Sequence, residues 1–221
     1  MMRLTKIGLI IAACTLLAGT AYGEGKYGGT LTYGIASGTV TVGVDPHVIQ
    51  GDRTGWVLGQ VCEGLLNYDK DMNIVPWLAE SWEISEDGKS YTFKLGEGVM
   101  FHNGREMTSE DVKFSFERIL DPNTGSRRRT NLEVIDSMEI VDSHTIKVNL
   151  KNRFSPFLTY LVGAYGAIIP KESLDQDGKI SHPVGTGPFT FVEWVKNDHL
   201  TLTKNAEYWR KGIPFLDTVI F

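Results

Sequence analysis

The chain has 221 residues, 42% hydrophobic and 22% charged, the balance of a globular protein with a sizeable core; disordered, collagen-like and disulfide-scaffold classes are excluded. Lys and Arg number 22 against 27 Asp and Glu, a net charge of -5. Such a chain lacks the broad positive field that captures nucleic acid or anionic lipid, and nucleic-acid binding is set aside.

The N-terminus reads as a leader. Arg3 and Lys6 form a basic start, Ile7 to Leu17 is apolar, and Ala21-Tyr22-Gly23 supplies the small residues of a cleavage site, so residues 1–23 are expected to be a secretory signal peptide. The apolar run falls short of the roughly 20 residues that cross a bilayer, and the mature protein is expected to be soluble and exported. Ile11-Ala12-Ala13-Cys14 also fits a lipoprotein signal in which Cys14 is lipidated. If Cys14 leaves with the leader, Cys62 is the only thiol, and stability must come from packing rather than from a disulfide within the chain.

Beyond the leader, strands and helices alternate. Leu31, Tyr33 and Ile35 alternate with polar or small residues and predict a strand over 30–35; Val57, Val61 and Leu65 predict a helix over Trp56 to Leu66. Asp87-Gly88 between Glu83 and Leu95 predicts a β-hairpin. Thr108 and Asp111 have capping-box spacing ahead of Val112, Phe116, Ile119 and Leu120, a helix that Asp121-Pro122 stops. A second meander follows through Met138 to Val141 and Ile146 to Leu150, then a helix opened by Ser155-Pro156 and running to Leu161. Strands are expected at Phe189 to Trp194, Leu200 to Thr203 and Leu216 to Phe221. The last of these ends the chain without a polar tail, which reads as a truncated sequence.

The common signatures of catalysis are missing: there is no G-x-S-x-G, H-E-x-x-H, C-x-x-C or G-x-x-x-x-G-K-[ST]. His47, His102, His144, His182 and His199 stand singly and read as surface or turn residues. Asp69, Asp71, Asn73 and Glu80 occupy positions of a calcium loop, but Ile74 stands where the sharp turn needs Gly, and Pro76 and Trp77 interrupt the rest. Gly185-Thr186-Gly187-Pro188 reads as a tight turn, because no Lys follows and a strand begins at Phe189. Arg127, Arg128 and Arg129 read as a solvated loop, with docking as the alternative.

Several ordered stretches resemble one family. They are Val44-Asp45-Pro46-His47, Val61-Cys62-Glu63-Gly64-Leu65-Leu66, Pro76-Trp77-Leu78-Ala79-Glu80-Ser81-Trp82, Ser85 to Phe93, Phe101-His102-Asn103-Gly104 with Thr108 to Val112, Gly185-Thr186-Gly187-Pro188-Phe189, and Asn205-Ala206-Glu207-Tyr208-Trp209. Together they are similar to the peptide and nickel class of periplasmic solute-binding proteins, the capture subunits of ATP-driven importers. The resemblance implies an α/β fold with mixed sheets and two lobes that close around a ligand. Residues 24–52 and 183–221 would form the discontinuous core of the first lobe, and 53–182 a subdomain inserted in it. The second lobe would lie beyond Phe221.

The resemblance also implies a periplasmic, monomeric binding protein without cofactor, metal or enzymatic activity, whose partners are a peptide or other small solute and the permease subunits of an ABC transporter. The loop Ser37, Gly38, Thr39, Val40 and Thr41 resembles the stretch that lines the cleft in oligopeptide-binding members, where backbone groups can pair with an extended peptide as an added strand does. Val40 stands near a position where some relatives carry an acidic group for the ligand's amine. Trp82, Phe101 and His102 are expected to pack or turn. Two other readings are an exported enzyme acting on peptide or cell-wall material and a remnant that binds nothing.

Overall fold

Local alternation and turn chemistry build the first sheet. In a computed structural model that describes residues 27–35, 43–48 and 52–221, β4 (Ala79–Ile84) and β5 (Ser90–Leu95) form a hairpin. At its turn Asp87 accepts hydrogen bonds from the Ser85 hydroxyl (2.6 Å) and the Lys89 N–H (3.0 Å). Gly88 takes a φ of 68°, which favours glycine. β6 (Ile135–Asp142) and β7 (Thr145–Leu150) join it in the order β4-β5-β7-β6, all antiparallel. Period two puts Tyr91, Phe93, Leu95, Ile146, Val148 and Leu150 on one buried face. Against that face α2 (Ser109–Leu120) buries Val112, Phe116 and Ile119. The Asp111 carboxylate fixes the start of α2, accepting from the Thr108 N–H at 2.9 Å and gripped by both terminal nitrogens of Arg105.

A second sheet is drawn from both ends of the described chain. β8 (Phe189–Val195), β9 (His199–Lys204) and β10 (Thr218–Ile220) are antiparallel neighbours, and β1 (Thr30–Thr32) lies parallel to β10, giving β1-β10-β9-β8. Its Phe189, Phe191, Leu200, Leu202 and Val219 pack with Val57 and Leu58 of α1 (Asp52–Leu58). A short hairpin, β2 (Leu66–Tyr68) and β3 (Ile74–Pro76), and a helical turn α3 (Arg129–Leu132) complete the strands and α-helices of the described residues. The fold is thus mixed α/β, as the sequence reading expects.

Apolar side chains divide between two clusters, one under each four-stranded sheet. Two segments run along the seam between them. Val61 and Cys62 enter the second cluster and Leu65 and Leu66 the first; Ala167 and Ile169 enter the second and Ile168 the first. Ile168 N–H donates to Glu63 O at 2.8 Å and ties the segments together. A buried ion pair also crosses the seam. Arg118 of α2 holds Asp45 through two bonds of 3.0 and 2.6 Å, and its Nη2 also donates to Gly178 O.

The structure differs from the expected elements in specific ways. The helix expected over Trp56 to Leu66 occupies Asp52–Leu58 instead, because the carbonyls of Gln60, Val61 and Glu63 accept from Phe189, Gly187 and Ile168 rather than from the next helical turn. The helix expected after Ser155-Pro156 is a 3-10 segment, Phe157–Leu161. The strand expected over 30–35 shortens to Thr30–Thr32. Asp69, Asp71 and Asn73 form the β2–β3 turn, with Asp69 accepting from both following N–H groups at 2.8 Å. His47, expected at the surface or in a turn, stands in the turn over 46–48 and is 1% exposed: its Nε2–H donates to Ala167 O at 2.9 Å, and its Nδ1 is buried with no hydrogen-bond partner among the described residues. The leader, Cys14 and Ser37 to Thr41 lie outside the described residues.

Burial makes His47 hard to protonate and lowers its pKa from 6.5 to about 4, with Arg118 adding to the effect. The unfolded chain therefore binds one more proton than the folded one between these values, so stability is complete above pH 6.5 and falls as the pH drops toward 4. The expected slope is about 1.4 kcal/mol per pH unit. Urea unfolding across pH 4.5–7 should show it, and His47→Gln should flatten it. Cys62 is fully buried and its thiol is pushed up by desolvation, so a thiol reagent should label the native protein far more slowly than the unfolded one.

Candidate functional site

The segment that leaves α1 places one carboxylate where four donors converge. Glu63 Oε1 accepts from the Trp77 indole N–H and the Tyr208 hydroxyl, both at 2.7 Å. Oε2 accepts from the Thr186 hydroxyl at 2.8 Å and the Trp209 indole N–H at 3.0 Å. Glu63 is 4% exposed; burial pushes its pKa up, and the four hydrogen bonds pull it back toward the charged form. Four donors on two oxygens leave no acceptor site empty, the arrangement that makes a buried carboxylate tolerable.

Thr186 reaches Glu63 because its neighbours have no side chains. A Cβ on Gly185 would fall 2.1 Å from Val61 O, and one on Gly187 would fall 2.5 Å from Gln60 O. The strap instead lies flat on the seam, with Gly187 N–H donating to Val61 O and Phe189 N–H to Gln60 O, both at 3.0 Å. His102 closes it from the other side: its N–H and Nε2–H donate to Gly185 O and Gly187 O at 2.9 Å each. Asn205 Nδ2–H donates to Gly187 O at the same distance. The turn expected at Gly185 to Pro188 is therefore a backbone strap, and His102 is a packing residue, as expected.

Beside the seam opens a cleft of about 670 Å³, lined by Trp56, Gln60, Asn67, Arg128, Tyr160 and Tyr165 among others. Trp56, on α1, is 65% exposed and presents its ring to the opening. Gly55 lets the Tyr165 ring approach α1, since a Cβ there would lie 3.1 Å from the Tyr165 hydroxyl. The Arg128 guanidinium lies 3.7 Å from the Tyr165 ring centroid, and among the described residues no carboxylate pairs with it. A guanidinium stacked by its face keeps its N–H edge for a carboxylate. Aromatic walls with one cation are the lining of a small-molecule site. No cluster of His, Cys, Asp and Glu able to hold a metal ion occurs among the described residues.

The expected site residues, Ser37, Gly38, Thr39, Val40 and Thr41, lie outside the described residues, so the cleft stands on other side chains. Of its lining, only Arg128 carried a signal in the sequence, as part of the Arg127-Arg128-Arg129 run. Arg129 serves another purpose, bonding Leu120 O and pairing with Glu133.

The bacterial extracellular solute-binding proteins, family 5 middle region, match residues 73–221. The glutathione-binding protein GsiB of Pectobacterium atrosepticum is 37% identical over 187 residues, 84% of this chain and 36% of that protein. The chain thus spans a little over a third of the length of the curated relatives it matches. Among solved structures, the binding protein AgaA from A. tumefaciens R10, in complex with agropinic acid, superposes with a TM-score of 0.81 at 37% identity, covering 87% of this chain and 39% of that one. The periplasmic binding protein DppA from Helicobacter pylori, in complex with peptide STSA, gives 0.78 at 32% identity, covering 88% and 42%.

Two substitutions test the geometry. Thr186→Val removes one of the four donors and should cost about 1.5–3 kcal/mol, the range for a hydrogen bond to a charged group. Gly185→Ala should cost more, reversing the usual gain from Gly→Ala, because its Cβ would overlap the Val61 carbonyl. Urea unfolding measures both.

Proposed function

Because this chain belongs to family 5 of the bacterial extracellular solute-binding proteins, we propose that it is part of the capture subunit of an ATP-driven importer. It takes a peptide or peptide-like carboxylate into the cleft beside Arg128 and passes it to a membrane permease in the periplasm. The observation that carries this reading is the Arg128 guanidinium, 3.7 Å from the Tyr165 ring centroid and without a carboxylate partner among the described residues, in an aromatic-lined cleft. Glutathione, agropinic acid and a peptide, bound by proteins similar to this one, all carry carboxylates.

In this reading residues 24–52 and 183–221 belong to the core of a first lobe and 53–182 to its inserted subdomain. A second lobe closes on the cleft, and a ligand that binds the closed state better shifts the population toward it. The loop Ser37 to Thr41 meets the ligand's backbone as that closure occurs. The protein acts as a monomer and as a receptor rather than an enzyme.

Equilibrium dialysis of the purified protein against a peptide mixture, read by mass spectrometry, should return retained solute of unchanged mass. New, smaller products would contradict the receptor reading. Arg128→Gln should weaken retention roughly 10- to 100-fold, the loss of one charge-assisted contact of about 1.5–3 kcal/mol.

A further inference from the structure

A second arginine lines a neighbouring cavity. A smaller cavity of about 260 Å³, lined by Trp77, Tyr208, Arg210 and Ile213, shares Gly59, Gln60, Asn67 and Gly163 with the larger one. The two cavities therefore adjoin along these four residues. Arg210 is exposed, with its guanidinium 4.4 Å from the Trp77 ring centroid and 5.9 Å from that of Trp209. Like Arg128, it has no carboxylate partner among the described residues. The acid beneath it, Glu63, is already held by four donors.

Each guanidinium is thus held against an aromatic ring, and Arg210 also hydrogen-bonds the Tyr208 side chain, which lowers the entropy lost when the remaining N–H groups bind an anion. The floor between them has a different chemistry. Gly59 and Gly163 offer backbone without side chains, and Gln60 and Asn67 offer primary amides, which suit a neutral chain rich in hydrogen-bonding groups.

We propose that the two adjoining cavities together take one elongated dianion, with one carboxylate at Arg128, the other at Arg210 and an amide-bearing chain across Gln60 and Asn67. The proposal rests on the reading of the Arg128 cleft as a solute site and narrows its ligand from carboxylates in general to dicarboxylates.

The test uses three probes of equal length: succinyl-diglycine and its two monomethyl esters, titrated into the protein at neutral pH and followed by NMR of the backbone and tryptophan indole N–H groups. The diacid should bind at least about tenfold more tightly than either ester, ~1.4 kcal/mol. Arg210→Gln should reduce it to the level of an ester while the indole resonances of Trp77 and Trp209 keep their folded positions. Esters that bind as tightly as the diacid, with Arg128→Gln still weakening all three, would overturn the dianion proposal and leave the cleft standing. Absence of binding by all three probes, or no effect of Arg128→Gln, would overturn the solute site itself.

Discussion

The Glu63 carboxylate is the constraint around which this molecule is arranged. A charged group at 4% exposure is tolerable only when its oxygens are satisfied, and satisfying them requires four residues from three distant segments to be in place. Trp77 comes from the β3–β4 link, Thr186 from the strap and Tyr208 and Trp209 from the turn after β9. The two glycines that flank Thr186 follow from the same requirement, because any side chain there would hold the strap off the seam. One acid thus fixes backbone geometry at places far apart in the chain.

The same acid joins stability to the proposed site. Trp77 and Tyr208, bound to Glu63, are also walls of the smaller cavity, and Gln60, three residues before Glu63, floors both cavities. The Asp45–Arg118 pair performs a comparable service, tying the loop before α1 to α2 across the two clusters. Removing either member of such a pair would leave an uncompensated buried charge, so these contacts impose one arrangement as much as they add stability.

What the sequence made legible was local. The Asp87-Gly88 hairpin, the Ile146 to Leu150 strand and α2 with its Asp111 start each depend on residues close in the chain, and each forms where the pattern predicts. The run Val61 to Leu66 was legible as buried but not as non-helical, because its helical spacing competes with N–H donors more than a hundred residues away for its carbonyls. The pairing of β1 with β10 from opposite ends is of the same kind. The turn at His47 was legible but its burial was not, because Arg118 and Ala167, which cover it, lie far along the chain. The family-like stretches pointed to the right residues without their reason: Glu63, Trp77, Thr186, Tyr208 and Trp209 all lie in them. The cleft had no such signal, since Trp56, Asn67, Arg128 and Tyr165 come from four segments that only the fold brings together.

The central claim, that Glu63 holds the two sheets in one cooperative unit, is tested most directly by native-state hydrogen exchange on Glu63→Gln. The carboxamide presents an N–H₂ to two of the four donors, so the seam should open while each sheet keeps its own core. The account predicts that amides of β9 lose protection well beyond those of β5 and β7, which exchange with them in the native protein. Equal loss in both sheets, or no loss in either, would contradict it.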